Sequence, residues 1–441
     1  MGLHHGQANF VTYGKPSLFL DFANKKSLVD RISGNNLITF TRSSVGTYVG
    51  SDGLIKTAAA DEARFDYDPE TGESLGLLIE EQRTNSFLYS GDLSNTDGWT
   101  RINSIIVSSY SGSVVYGENS TSLVRSVTAE AQYVYRTFST GTTTPITISF
   151  YAKSIGGGNV VVNYSTGTVL FNFSTESGSI LSQYNNNGTD TSPIPSSISM
   201  VSVGNGWYKC SYTGYGNGLS SQCQFHPWTS SMSVWDDRYD AGDGSQGVAI
   251  TGSQFETGSV PTSYIPTSGS AVTREPDITK ITGTNFSSWY NQNEGTILYE
   301  SALTHFPRNL AYRRLFSINA GTGGQDNVIH ALAVESNTTV LSAIWNNSSP
   351  QYTQYSRALS NYVANDLKFT IGYKDNDVRS YMESAGFLDT VGDDNVTIPK
   401  SMVRFDIGHV LDGSHPAKQH VKKIRYYPTR LTNSQLQSLT Q

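Results

Sequence analysis

The chain has 441 residues, only 15% of them charged, and its 30 basic against 37 acidic side chains leave a net charge of −7 at pH 7. That length exceeds what one hydrophobic core supports and predicts about two to three domains. Low charge with 41 Gly and 26 Tyr is a turn-rich β composition, the lack of a basic face excludes nucleic acid as a partner, and with no 18-residue apolar run neither membrane insertion nor a secretory leader is expected.

Residues 1–16 are polar and aperiodic and read as an N-terminal arm; His4 and His5 within it are too few to hold a metal. A β-rich organising leader is expected over 17–97, beginning with a strand at Ser17–Phe22. Its densest stretch is Thr39–Asn85. There Gly50-Ser51-Asp52-Gly53 between two β-prone runs signals a hairpin, and Asp68-Pro69-Glu70-Thr71-Gly72 marks a second turn. The apolar run Leu75–Ile79 follows and ends on Glu80-Glu81-Gln82-Arg83. Buried unlike charges are paired far more often than free, so Glu80 and Glu81 are expected to pair with Arg42, Arg64 or Arg83, and the apolar run to be buried against the next module.

Over 98–266, short β-branched runs recur between Gly, Ser and Asn clusters, the pattern of a sandwich or jelly roll. Cys210 and Cys223 read as small buried hydrophobes, a bridge being the alternative. Residues 267–285 are rich in Ser, Gly and Thr and read as a linker. A third module is expected over 286–441. Thr432-Asn433-Ser434-Gln435 forms a capping box flanked by Leu431 and Leu436, predicting a short terminal helix against the last strand, Val421–Tyr427.

Two literal motif matches fail on context. Gly72-Glu73-Ser74-Leu75-Gly76 has the spacing of a nucleophile elbow, but a turn precedes the Ser where a strand is needed and a strand-like run follows where a helix is needed. Gly242–Gly247 has dinucleotide-loop spacing, yet a strand follows it. No pair of carboxylates is set as glycoside hydrolysis requires, so catalytic residues are none and no enzyme is expected. Asp236, Asp237, Asp240 and Asp243 lie close together in a Gly-containing loop and can supply oxygen ligands to calcium, with a solvated acidic loop as the competing reading; no other cofactor is implied. Sugar binding needs aromatic faces beside amides or carboxylates. Two clusters meet that need: Trp228 with Trp235, Asp236 and Tyr239, and Trp345 with Asn346, Tyr352 and Tyr355. Core burial is the competing reading for each ring.

The run from FTR through GTYV and SDGL to RFDYDP and GLLIEEQRTN resembles the leader of bacteriophage virion appendage proteins of the tail-fibre or capsid-decorating-fibre type. The later tracts GNGWYKC, SQFETGSVPTSYIPTSGSAVTR and IRYYPTRLTNSQLQSL resemble that family's recurring pieces. The resemblance implies a mainly β chain with two antiparallel sandwiches, a jelly-roll carbohydrate-binding module and a concanavalin- or laminin-G-like module. It further implies a non-enzymatic structural subunit exposed on the virion, a homotrimer contacting other virion proteins, aiding attachment to host surface glycans. A dedicated receptor-binding adhesin and a polysaccharide depolymerase are the alternatives.

Overall fold

The computed structural model describes residues 13–112, 115, 120–139, 144–164, 169–175, 177–184, 198–215, 220–303, 313–322, 326–334, 339–355, 364–384, 387–388, 391–393, 395–409 and 418–440; His4 and His5 lie outside them. The chain is mainly β, with two antiparallel sandwiches and a short terminal helix. No helix among the described residues is long and apolar enough to cross a membrane.

The first sandwich has two sheets. One runs Ile198–Ser202, Trp207–Tyr215, Pro145–Ile155, Gly247–Thr257, Thr121–Val124, Ile106–Ser109; the other runs Ser179–Tyr184, Val169–Ser174, Asn159–Tyr164, Ser220–Trp228, Tyr133–Ser139, Thr100–Ile102. Alternation puts every second side chain inside. Ile146, Ile148, Phe150 and Ala152 of one strand meet Val160, Val162, Phe173, Cys223 and Phe225 of the facing sheet, with Phe87, Trp99 and Phe255 filling the end of the core. Each such apolar side chain contributes roughly 1.5–3 kcal/mol by leaving water. Cys210 and Cys223 are both buried and free.

The second sandwich does not respect the sequence boundary at residue 97. Its larger sheet runs Phe387–Leu388, Asp377–Ser384, Ala364–Lys374, Glu294–Leu303, Gln419–Tyr427, Ser74–Ile79, Phe65–Tyr67, and Leu18–Asp21 pairs with Gln419–Tyr427 beyond Ser74–Ile79. The facing sheet runs Thr39–Thr41, Ile278–Thr282, Arg404–Ile407, Arg313–Asn319, Val328–Val334, Thr339–Asn346, Ser349–Tyr355. The expected burial of the Leu75–Ile79 run against the next module is therefore corrected: Leu77 and Ile79 belong to the core of the C-terminal sandwich, with Tyr299, Phe316, Phe405 and Tyr426. Gly76 permits this pairing. At φ +99° it lies so close to the last strand that a Cβ there would stand 2.2 Å from the Val421 carbonyl oxygen.

The linker expectation over 267–285 is also corrected. Val272–Arg274 pairs with Arg83–Asn85, and Ile278–Thr282 sits inside the smaller sheet, because β-branched Val272, Ile278, Thr279 and Ile281 are interspersed through a stretch whose average composition is that of a linker. The hairpin Gly46–Val49 with Ile55–Ala58 forms as read, closed by Gly53 at φ 74°. The helix Asn433–Thr440 has its box, Thr432 N–H donating to Gln435 Oε1 at 2.9 Å and Gln435 N–H to Thr432 Oγ1 at 3.4 Å. It rests on Ala364–Lys374 and Asp377–Ser384, not chiefly on the last strand; Leu431, Leu436 and Leu439 form one buried cluster with Leu298, Tyr381 and Tyr427.

Candidate functional site

The leader charges lie in a buried network, not in a cleft of reacting groups. Arg64 Nη1 donates to Glu80 Oε2 at 2.9 Å and its Nη2 to Asp277; Arg42 Nη1 donates to Asp277 Oδ1 at 3.0 Å, and Arg274 Nη1 to Glu80 Oε2 at 2.7 Å. Glu81 pairs with Arg83 and with Arg313. Sequence reasoning missed Arg274, Asp277 and Arg313, whose partners lie about two hundred residues away along the chain. Burial alone would raise the Glu80 pKa, but Arg274, Arg64 and Lys418 outweigh it and hold the carboxyl well below its usual range. A carboxylate so held has no proton to give. Ser74, the would-be elbow nucleophile, opens the strand Ser74–Ile79 after a turn and has no helix behind it, and Gly242–Gly247 is a turn with Gly244 at φ 77°.

The acidic loop does not gather its carboxylates. Asp237 Oδ2 accepts from the Ser233 and Val234 backbone N–H groups, Asp243 Oδ1 from Ser245 and Gln246, and Asp236 pairs with Arg238 at 2.8 Å. Among the described residues no three His, Cys, Asp or Glu side chains are placed to hold a metal. Of the four calcium candidates, Asp237 and Asp243 are thus engaged by short-range turns and Asp236 by an arginine, and Asp236, Asp237, Asp240 and Asp243 are not gathered around one point.

The two aromatic clusters divide by burial. Trp228 is fully buried, stacked on Trp235 at 6.2 Å and donating from Nε1 to the Met232 carbonyl at 2.9 Å; Tyr352 is buried with its hydroxyl 2.8 Å from Ser380 Oγ. Both are core residues and are corrected as ligand candidates. Trp345 is half-buried against Leu341 and Ala343, and Asn346 Nδ2 donates to the Thr397 carbonyl. Tyr355 ends the strand Ser349–Tyr355; its side chain lies outside the described residues. Tyr239 is 53% exposed, and the Arg238 guanidinium lies over its ring at 4.2 Å and over Trp235 at 4.6 Å. Buried Arg125 fixes that loop from below, donating to the Asp240, Arg238 and Glu130 carbonyls.

Beside this loop the outer face of the second sheet carries a polar row. Val134, Phe138, Cys223, Phe225, Val160 and Val162 point into the core, so alternation turns Tyr133, Tyr135, Gln222, Gln224, His226 and Asn163 outward. Tyr135, Gln224 and Asn163 are direct neighbours across three strands. Asn163 Nδ2 donates to Gln224 Oε1 at 2.8 Å, Gln224 Nε2 to Gln222 Oε1 at 2.8 Å, and His226 Nε2 stands 3.0 Å from Gln224 Oε1. The Tyr133 ring lies 4.6 Å from His226, whose other side meets Trp235 edge-on at 5.1 Å. Burial, then Arg125 and Arg238, lower the His226 pKa to about 3, so its ring is neutral at physiological pH. Asn163 Oδ1 and His226 Nδ1 are buried without a hydrogen-bond partner, a condition that costs roughly 1–3 kcal/mol each and favours an incoming group. This face contains one sequence candidate, the Trp235, Asp236 and Tyr239 loop. It adds Gln222, Gln224, Asn163 and the two tyrosines, which the alternation Gln222-x-Gln224-x-His226 could have signalled.

No protein-family model matches the chain, and no curated protein matches it. Among solved structures, the CBM40 of Ruminococcus gnavus IT-sialidase bound to alpha2,6 sialyllactose is similar over 36% of this chain and 88% of its own, with 16% identity and a TM-score of 0.30. A further structure of the Ruminococcus gnavus IT-sialidase CBM40 aligns over the same shares with 18% identity and a TM-score of 0.29. The NanB sialidase of Streptococcus pneumoniae is similar over 36% of this chain and 26% of its own, with 12% identity and a TM-score of 0.28.

Proposed function

We propose that the protein is a non-catalytic glycan-binding subunit, and that the outer face around Gln224 is where the sugar docks. The row of hydrogen-bonded amides flanked by tyrosines carries this reading. Amides present a donor and an acceptor at a fixed spacing, which suits vicinal sugar hydroxyls, while aromatic faces cover the C–H side of a pyranose. Gln224 and His226 are buried, Tyr133, Tyr135, Gln222 and Asn163 half-buried, and the row is already ordered by its own bonds, so little side-chain freedom is lost on binding. The finer reading rests on the leader and its later tracts: a bacteriophage virion appendage, trimeric, seated on other virion proteins and exposed to host surface glycans.

A glycan array followed by calorimetry on the best hit tests the face. Gln224→Ala and Tyr135→Ala should each weaken the hit about tenfold, the equivalent of one lost contact of about 1.4 kcal/mol, with affinity read on the folded fraction because Gln224 is buried and bonded to Asn163, Gln222 and His226. Retained affinity in both variants overturns the assignment. Imaging of the whole particle tests the appendage reading separately, since binding can survive without it.

A further inference from the structure

A cleft of about 230 Å³ opens away from the amide face, where the leader hairpin, the outer face of the first sandwich sheet and the start of the last strand meet. Its walls are mostly apolar, with Tyr48, Ile55, Leu78, Tyr151, Val203 and Tyr264 prominent. Two lysines line it. Lys209 Nζ donates to the Thr262 carbonyl at 2.9 Å, and Lys418 Nζ donates to the adjacent Pro261 carbonyl at 2.7 Å, so the two ammonium groups are anchored on neighbouring peptide units.

An ammonium has three donors, and buried cations are ordinarily matched by their own carboxylate. Here the match is incomplete: Lys418 shares Glu80, 3.9 Å away, with Arg64 and Arg274, while Glu256 accepts from Thr262 and Asp66 is bonded to His420. Burial lowers the pKa of both lysines; that of Lys418, at about 8, is lowered further by repulsion from Lys209 in the same cleft. An anion between them would relieve that repulsion, and the surrounding rings would favour an apolar body attached to it.

We propose that this cleft binds a small amphipathic monocarboxylate, its carboxylate bridging Lys209 and Lys418 and its apolar body lying against Tyr48, Tyr151 and Tyr264. The site is independent of the sugar-binding face. The test is thermal shift and calorimetry on the full chain with three probes: 3-phenylpropionate, its neutral isostere 3-phenylpropanamide, and glucuronate as a polar carboxylate. 3-Phenylpropionate should raise Tm and bind at least tenfold more tightly than either of the others. Its affinity should fall as pH rises through about 8, where Lys418 loses its proton among Lys209, Glu80, Glu256, Asp66 and His420. Lys418→Met should remove binding. Val201→Trp should do the same by blocking the mouth, since Val201 lines the cleft at 56% exposure and its replacement leaves the core intact. Equal binding of the amide overturns the role of the lysines, glucuronate as the better ligand overturns the apolar body, and no response to any probe overturns the site.

Discussion

Replacing Arg64 with Met removes one guanidinium from a fully buried network. Arg64 is 0% exposed, and its Nη1 holds the Thr47 carbonyl at 2.8 Å, Glu80 at 2.9 Å and Ser263 Oγ at 2.8 Å while Nη2 holds Asp277. In Arg64→Met, Glu80 keeps Arg274 and Ser263, and Asp277 keeps Arg42 and the Glu80 backbone N–H, so two buried carboxylates are left with one cation fewer. Removing one partner of a buried pair costs about 3–5 kcal/mol, and this should appear as a lowered urea midpoint by tryptophan fluorescence. The pH dependence follows from Glu80. Its folded pKa is depressed, so its contribution is present above the unfolded value of about 4.3 and is lost as pH falls through the folded value. The gap between wild type and variant should therefore be full at pH 7 and shrink below about pH 4. A variant within about 0.5 kcal/mol of wild type at pH 7, the scatter of ordinary surface changes, would refute the structural role of the network.

Gly76→Ala should abolish soluble expression or lower Tm sharply, because its Cβ meets the Val421 carbonyl at 2.2 Å and φ is +99°; strain at such φ alone costs about 1–3 kcal/mol. Leu436→Ala, at a fully buried helix position, should cost about 2–5 kcal/mol and raise hydrogen exchange in 433–440 first. Trp228→Ala should cost about 3–5 kcal/mol yet leave glycan affinity of the folded fraction unchanged, as measured by calorimetry. Cys210 and Cys223, whose thiol pKa values burial pushes up, should resist a thiol reagent in the native state and react with it on unfolding.

Local chemistry was legible in the sequence. The Asp52-Gly53 hairpin, the Asp68–Gly72 turn and the Thr432 capping box depend on residues within a few positions of one another, and each formed where its signal lay. The closeness of Glu80 to Arg64 was legible for the same reason. Arg274, Asp277 and Arg313 were not, since Arg64 and Asp277 are 213 residues apart and Glu81 and Arg313 are 232 apart, and nothing local distinguishes these charges from solvated ones. Composition misled at 267–285, where Ser, Thr and Gly interleave with the β-branched residues that carry the strands. Ring identity alone also misled at Trp228 and Tyr352, because a buried and an exposed aromatic residue look the same in one sequence.

The pairing of Leu18–Asp21 with Gln419–Tyr427 at Leu18↔Tyr426 fixes an order of events. During synthesis the first strand must wait unpaired, and the Ser74–Ile79 strand with only Phe65–Tyr67 beside it, until the final strand leaves the ribosome, whereas the strands between Thr100 and Thr257 have all their sheet partners among themselves. The inner sandwich can therefore fold as a unit while the outer one is still an open sheet. Closing contacts of such long sequence separation is slow, and the waiting edges are exposed to other nascent chains in the meantime. Misassembly by exchange of these terminal strands between copies is the failure that this chain's topology invites.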